Sequence, residues 1–388
     1  MKWGALQNRQ YKQNSQRGVA LVIALMITAI AISLASVAMY RQQIQIRLTG
    51  NIASLEQAYQ YAVGMEDWSK KILEQDYKDN PKTDHEKEDW ATELPPIPID
   101  GGMLTGQLFD LQGKLNLNAV DMVYPKLPAP NPNANQPNQP NQPNQPNQPN
   151  QPNQPNQPNQ PKVIKTEPLV YERITRLFAK IDKDQALGPP ENFTDTLWDW
   201  IDKKDEERQG GAESGYYQSL EKPYMAANAP LIDISELLLL KGMTKEFVED
   251  LKPLVSALPK ETRINVNTAE PEVLEAIGFN AETADAIKKA REENPFENIN
   301  DFWSLPEVAT LFAQGSEMGK KKANYAQTLT VTSDYFLLEG AVTINNTRIF
   351  INSILERKKG KVRVISRDFG NPYKSQQKTD NNESSKPN

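Results

Sequence analysis

From Val19 to Tyr40 the chain carries an unbroken run of uncharged, mostly apolar residues, preceded by a leader whose charges, Lys2, Arg9, Lys12 and Arg17, are all positive. At ~1.5 Å per residue the run extends ~33 Å, enough for one crossing of a ~30 Å hydrocarbon core. Beyond Tyr40 the apolar positions keep a three- and four-residue step through Ile44, Leu48, Ile52, Leu55, Tyr59, Ala62 and Val63, then Trp68, Ile72 and Leu73. Asp79-Asn80-Pro81 stops the pattern, predicting one helix of about sixty residues whose second half is amphipathic and needs a sheet to cover its stripe.

Alternation by two replaces the helical step at residues 104–117, LTGQLFDLQGKLNL, predicting a strand with a hairpin around Gln112-Gly113. It returns near the other end, at Thr328 to Ser333, Tyr335 to Ile344, Arg348 to Glu356 and Lys361 to Asp368. Asn345-Asn346 and Lys359-Gly360 are the expected turns between the last three. Between the two strand regions the pattern is helical: Leu169 to Ile181, Phe193 to Ile201, Ile234 to Leu240, Lys245 to Leu254, Glu270 to Ile277, Ala281 to Glu292 and Ile299 to Leu305. Ser235 with Glu236, Thr268 before Glu270-Pro271, and Gly242 after Leu240 serve as cap signals. The expected class is α+β: a long N-terminal helix on an antiparallel sheet, interrupted by a large all-helical domain. The expected boundaries are a leader at 1–18, a membrane segment at 19–40, the first part of the sheet domain at 41–118, the helical insertion at 119–325 and the rest of the sheet at 326–370.

Composition removes two stretches from any core. Asn-Gln-Pro repeats nine times without a break from Asn135 to Pro161, and proline at every third residue suits polyproline II with no apolar face to bury. Residues 126–161 are therefore expected to form an unstructured loop, and the polar tail 371–388 to be unstructured as well. There is no cysteine and a single histidine, His85, which sits among Asp84, Glu86, Lys87 and Glu88 and reads as a solvated loop residue. Without a thiol, a histidine pair, a phosphate loop or a GxSxG elbow, no enzyme is expected. The net charge of −6 becomes −10 once the four leader cations are removed, a poor footprint for nucleic acid.

A secretory signal would be cut on the far side of its apolar core. Here that side continues as helix, so either the anchor is left uncut or the cut falls before it. The junction Arg17-Gly18 followed by Val19 resembles the prepilin signal of type IV pilins and type II secretion pseudopilins. Six stretches, RGVALVIALM (17–26), DLQGKLNLNA (110–119), LWDWIDKKDEERQGGAESGYY (197–217), PYMAANAPLIDISELLLLKGM (223–243), RINVNTAEPEVLEAI (263–277) and YFLLEGAV (335–342), resemble in order the minor pseudopilin K family of type II secretion. The nine-fold repeat and the tail depart from it.

That resemblance implies cleavage by prepilin peptidase between Gly18 and Val19, N-methylation of Val19, a single-pass inner-membrane anchor and a periplasmic body. It also implies a place at the pseudopilus tip with the minor pseudopilins I and J, and H as a further partner. Most pilin-like subunits carry a glutamate at the fifth mature position, paired with a neighbour's N-terminal amine; here Ile23 stands there. Lacking that charge, the subunit is suited to begin or cap a filament.

The acidic run Asp199, Asp202, Asp205, Glu206, Glu207 and Glu213, broken by Gly210-Gly211, offers hard oxygen ligands around a turn. The resemblance implies calcium there; Asp202, Asp205 and Glu213 are the expected ligands, with Glu206 in reserve. Lys203 and Lys204 intrude. The competing function lies in Arg263 to Phe302, which looks like a helix-hairpin-helix unit of DNA-uptake proteins and would suit a minor pilin of a type IV pilus or DNA-uptake system. Its hairpin at Gly278 is flanked by Glu275, Glu282 and Asp285, which repel phosphate.

Overall fold

The computed structural model describes residues 7–93, 95–122, 168–184 and 186–370. The repeat loop and the tail lie outside these residues. Helix α1 (Gln7–Asp79) is followed by a strap, residues 80–93, and by β1 (Ile97–Ile99) and β2 (Gly102–Asp110). The short β3 (Leu115–Asn116) leads into α2 (Leu169–Ile181), α3 (Pro190–Ile201), α4 (Ser214–Gln218), a 3-10 turn over Ile234–Leu239, α5 (Lys245–Leu251), β4 (Val255–Ser256) and β5 (Ile264–Asn265). Then come α6 (Pro271–Ala276), α7 (Ala281–Glu293), α8 (Ile299–Ser304), α9 (Pro306–Leu311), α10 (Glu317–Thr328) and β6 (Leu329–Thr330). The chain closes with β7 (Tyr335–Ile344), β8 (Thr347–Lys358) and β9 (Lys361–Asp368).

The main sheet has the order β1-β2-β7-β8-β9 and is antiparallel throughout. The second half of α1 lies across it, burying Ser54, Ala58, Ala62, Met65, Ser69 and Leu73 at three- and four-residue steps. Gly106 and Gly340 face each other in register beneath Met65. A Cβ at either would stand 2.6 Å from its sulfur, so the glycine pair is what lets the helix approach the sheet. This α+β architecture is the expected one.

Apolar burial divides into two large cores. Ala58, Leu73, Trp90, Phe336, Val342 and Ile351 belong to the sheet core, whereas buried residues from Leu115 to Val331 form a separate core inside the helical part. A small third cluster, Leu111, Leu258 and Tyr335, lies where the chain passes between them.

At that neck the strands are not the expected ones. Instead of a hairpin around Gln112-Gly113, β2 stops where the Asp110 carboxylate turns in to accept from Gln112 N at 2.7 Å, and β3 pairs in parallel with β4. The segment expected as a strand from Thr328 to Ser333 pairs only at β6, in parallel with β5. Asp110 Oδ2 accepts from Asn265 Nδ2 at 3.0 Å, Thr268 Oγ1 at 2.5 Å and Ser333 Oγ at 2.6 Å. Thr268 is thus a neck residue; α6 is N-capped at Glu270 instead. Asp84 Oδ2 accepts from Ser333 N at 2.7 Å, and its Oδ1 accepts from Arg357 Nη2. Arg357 also donates to Asp76 Oδ2 at 2.8 Å.

Other expectations shift as well. The sheet first meets α1 at Ser54, where Asn345 Nδ2 donates to Ser54 Oγ at 3.1 Å; Ile44, Leu48, Ile52 and Leu55 therefore stay exposed. His85 is half-buried, not solvated: its Nδ1 accepts from Lys87 N at 3.2 Å, and burial lowers its pKa. Asp233, two residues ahead of Ser235, is the cap that closes a capping box with Glu236.

Phe336 is fully buried, meets Trp90 edge-on at 5.1 Å and lies under the Arg357 guanidinium at 4.8 Å. Phe336→Ala should lower unfolding stability by about 3–5 kcal/mol in denaturant titration of the full chain in detergent; a loss under about 1 kcal/mol would show that the helix and sheet are not packed as described.

Candidate functional sites on the anchor helix and in the acidic loop

Between Gly18 and Asp79 the helix contains a span of mean hydropathy 2.6 over its most apolar window, with none of that window buried. Its few polar side chains are neutralised locally. Thr28 Oγ1 donates to Leu25 O, Ser33 Oγ to Ala29 O and Ser36 Oγ to Ile32 O, each at 2.9 Å, which hides hydroxyls that would be costly in hydrocarbon. Among the described residues this is the one helix long and apolar enough to cross a membrane, and it fits a single-pass anchor. Gly18 and Val19 lie inside α1, and Ile23 is 52 % exposed on its surface. The uncovered stripe Ile44, Leu48, Ile52 and Leu55 continues the apolar surface from the anchor to the edge of the sheet.

The acidic loop starts at the C-terminal end of α3 and folds back onto it. Asp195 and Asp199, one turn apart, face the loop: Asp195 Oδ2 accepts from Gly210 N at 3.3 Å and Asp199 Oδ2 from Arg208 N at 3.0 Å. The Arg208 guanidinium lies 3.5 Å from the Trp198 ring, and Lys241 Nζ holds Gly211 O at 2.9 Å. A Cβ on Gly211 would fall 1.9 Å from Asp199 Oδ2, so this approach of backbone to carboxylate demands glycine.

Glu213 closes the loop just before α4. It is 5 % exposed, and both of its carboxylate oxygens are buried with no hydrogen-bond partner. Burial, and then repulsion from Asp199, Asp202 and Asp205, push its pKa up to about 7. Burial likewise raises Asp199 to about 6 despite Arg208, with Asp202 and Asp195 adding to the rise. Five carboxylates, Asp195, Asp199, Asp202, Asp205 and Glu213, thus act on one another around the loop. Of the ligands expected from sequence, Glu213 is buried, Asp202 is half-buried and Asp205 is exposed, as is Glu206, the reserve. Asp199 joins them although it is not among the ligands expected from sequence; its signal is the four-residue spacing from Asp195 on one face of α3. Glu213 is an orphaned buried carboxylate of the hard-oxygen type that suits a divalent cation, although among the described residues no three of the loop's carboxylates bring oxygens to within 4.8 Å of one another.

The hairpin between α6 and α7 is built differently from a phosphate cradle. Gly278 N donates to Glu275 O at 2.9 Å and Phe279 N to Leu274 O at 3.1 Å, so these amides are spent on the turn itself. Asn280 Oδ1 caps Thr283 N at 2.7 Å. Phe279 packs against Phe302, Phe312 and Tyr325. Of the nearby cations, Arg291 is buried and donates to Val266 O and Ala269 O, and Lys288 stands 3.8 Å from Glu270.

Profiles described as type II secretion system protein K match residues 113–260 and 264–319. The chain is 29% identical over 368 residues to the type II secretion system protein K of Pseudomonas aeruginosa, covering 92% of this chain and 94% of the relative. It is 31% identical over 365 residues to that of Dickeya chrysanthemi, covering 92% and 97%. Among solved structures, the GspK–GspI–GspJ complex of the enterotoxigenic Escherichia coli type 2 secretion system matches with a TM-score of 0.62 and 26% identity, over 83% of this chain and 99% of the matched chain.

Proposed function

The chain belongs to the type II secretion system protein K family and is a minor pseudopilin of that system, and from this premise we propose that it begins or caps the pseudopilus as its tip subunit. The observation that carries this reading is Ile23. Counted from Val19, it occupies the depth where a pilin-like subunit would carry the carboxylate that neutralises a neighbour's amine. An apolar residue there leaves nothing to pair with a subunit above, and an unpaired charge in hydrocarbon is costly. The stripe from Ile44 to Leu55 supplies the surface for packing beside other pseudopilin helices. Pseudopilins I and J are the proposed partners, as in the matched complex, with H as a further contact below. The chain's leader would be removed by prepilin peptidase between Gly18 and Val19 and Val19 then methylated, leaving residues 19–40 of α1 in the inner membrane and the rest in the periplasm.

We further propose that the acidic loop holds calcium through Glu213, Asp202, Asp205 and the added Asp199. The side chains of Lys203 and Lys204 are exposed, and Lys204 N donates to Asp202 Oδ1 at 2.8 Å. When bound, the ion would supply the positive charge that the buried Glu213 lacks and draw the loop onto α3. Nucleic-acid binding is disfavoured by the spent hairpin amides.

Full-length chain extracted in detergent should form a stable ternary complex with I and J, and Ile23→Glu should spread it from filament ends to positions along the shaft in immunogold images. A chain indifferent to both partners would overturn the tip assignment. N-terminal sequencing of protein from cells with active prepilin peptidase should begin at Val19; persistence of Met1 would refute processing. Calcium at a hundred times its Kd should stabilise the chelator-treated protein by about 2.7 kcal/mol in thermal unfolding. That gain should vanish in Glu213→Gln and Asp202→Asn; an unchanged melting curve in the parent protein would remove calcium from the loop.

A further inference from the structure

A second set of acids lies at the neck, apart from the acidic loop. Asp76, Asp84 and Glu88 each bring one ligand oxygen to within 4.8 Å of the others'. Asp76 sits in the last turn of α1, and Asp84 and Glu88 belong to the strap. Arg357 enters from β8 and is spent on two of the three: Nη1 on Asp76, Nη2 on Asp84, and further bonds to Leu73 O and Ser333 O.

Glu88 is held from one side only. Its Oε2 accepts from Trp90 Nε1 at 2.7 Å and from His85 N at 3.0 Å. Its Oε1 is buried and has no hydrogen-bond partner, on a side chain only 9% exposed. His85 Nε2 stands 3.7 Å from it, too far for a hydrogen bond. Asp334 adds another acid facing the same guanidinium, since Arg357 and Asp84 both act on it. The neck therefore holds more buried negative charge than Arg357 can balance, and an unbalanced buried charge costs several kcal/mol. The donors are carboxylate oxygens, which select a hard cation. Calcium tolerates an irregular shell completed by water, whereas magnesium demands near-ideal octahedral geometry.

We propose that Asp76, Asp84 and Glu88 form a second divalent-cation site, of the calcium type, with Glu88 Oε1 as its anchoring ligand. The ion ties the C-terminal end of α1 to the strap, beside the residues that join the sheet to the helical part. Its rival is a proton on Glu88, whose pKa burial pushes to about 7.

The test uses the full chain in detergent with Asp202→Asn and Glu213→Gln already in place, so that the acidic loop contributes nothing whatever its own fate. Equilibrium dialysis with radioactive calcium at pH 7.5 should find one ion per chain, lost when Glu88→Gln is added. Binding of no ion in the acidic-loop background, or retention of the ion in the Glu88→Gln protein, would overturn the site. If Glu88→Gln fails to fold by circular dichroism, Asp76→Asn replaces it with the same two outcomes.

Discussion

Asp110 sits where β2 stops, with its carboxylate out of water and four donors converging on it: the amide of Gln112 and the side chains of Asn265, Thr268 and Ser333. These donors come from both sides of the neck, so one buried charge ties the point where the chain leaves the sheet to the point where it returns. A carboxylate without such partners would pay a large desolvation penalty, and donors without the carboxylate would be left unsatisfied. The arrangement is therefore all-or-none. The parallel pairs β3·β4 and β5·β6, Leu111 N on Tyr335 O and Asn265 N on Gln112 O form the hydrogen-bonded frame around it.

The two large cores make that frame necessary. Because the helical part and the sheet share little apolar surface beyond Leu111, Leu258 and Tyr335, burial alone would leave their relative orientation loose. Directional hydrogen bonds and the Asp76–Arg357–Asp84 chain supply what apolar contact does not. The same chain connects α1 to β8, so the membrane helix, the sheet and the insertion meet within one polar cluster.

Much of this was legible in the residue pattern. α2 has the expected bounds, and so do β7 and β9, because their periodicities and turn residues agree; Lys359 and Gly360 both adopt the positive φ that the β8–β9 turn needs. The neck was not legible. β3 to β6 are two residues each and are selected by partners far away in sequence, so alternation around Gln112-Gly113 suggested a hairpin that the Asp110 side chain forbids. α10 buries only Tyr325 and Thr328, too few positions to set a period. In the acidic loop the composition was visible, but the burial of Glu213 was not, since it depends on α3 and α4 folding over it. Ile23 could be read at once, because there the informative fact is which residue type occupies a counted position.

The continuity of α1 has a mechanical meaning. From Gly18 to Asp79 it is one hydrogen-bonded rod, and at ~1.5 Å per residue it reaches ~90 Å without a proline to hinge it. A push delivered at the membrane end would be carried along the rod to Asp76, through Arg357 into β8 and across Asp110 into the helical part. The sheet would take load along the whole buried face of the rod from Ser54 to Leu73, whereas the helical part would receive it only through the few salt bridges and hydrogen bonds of the neck.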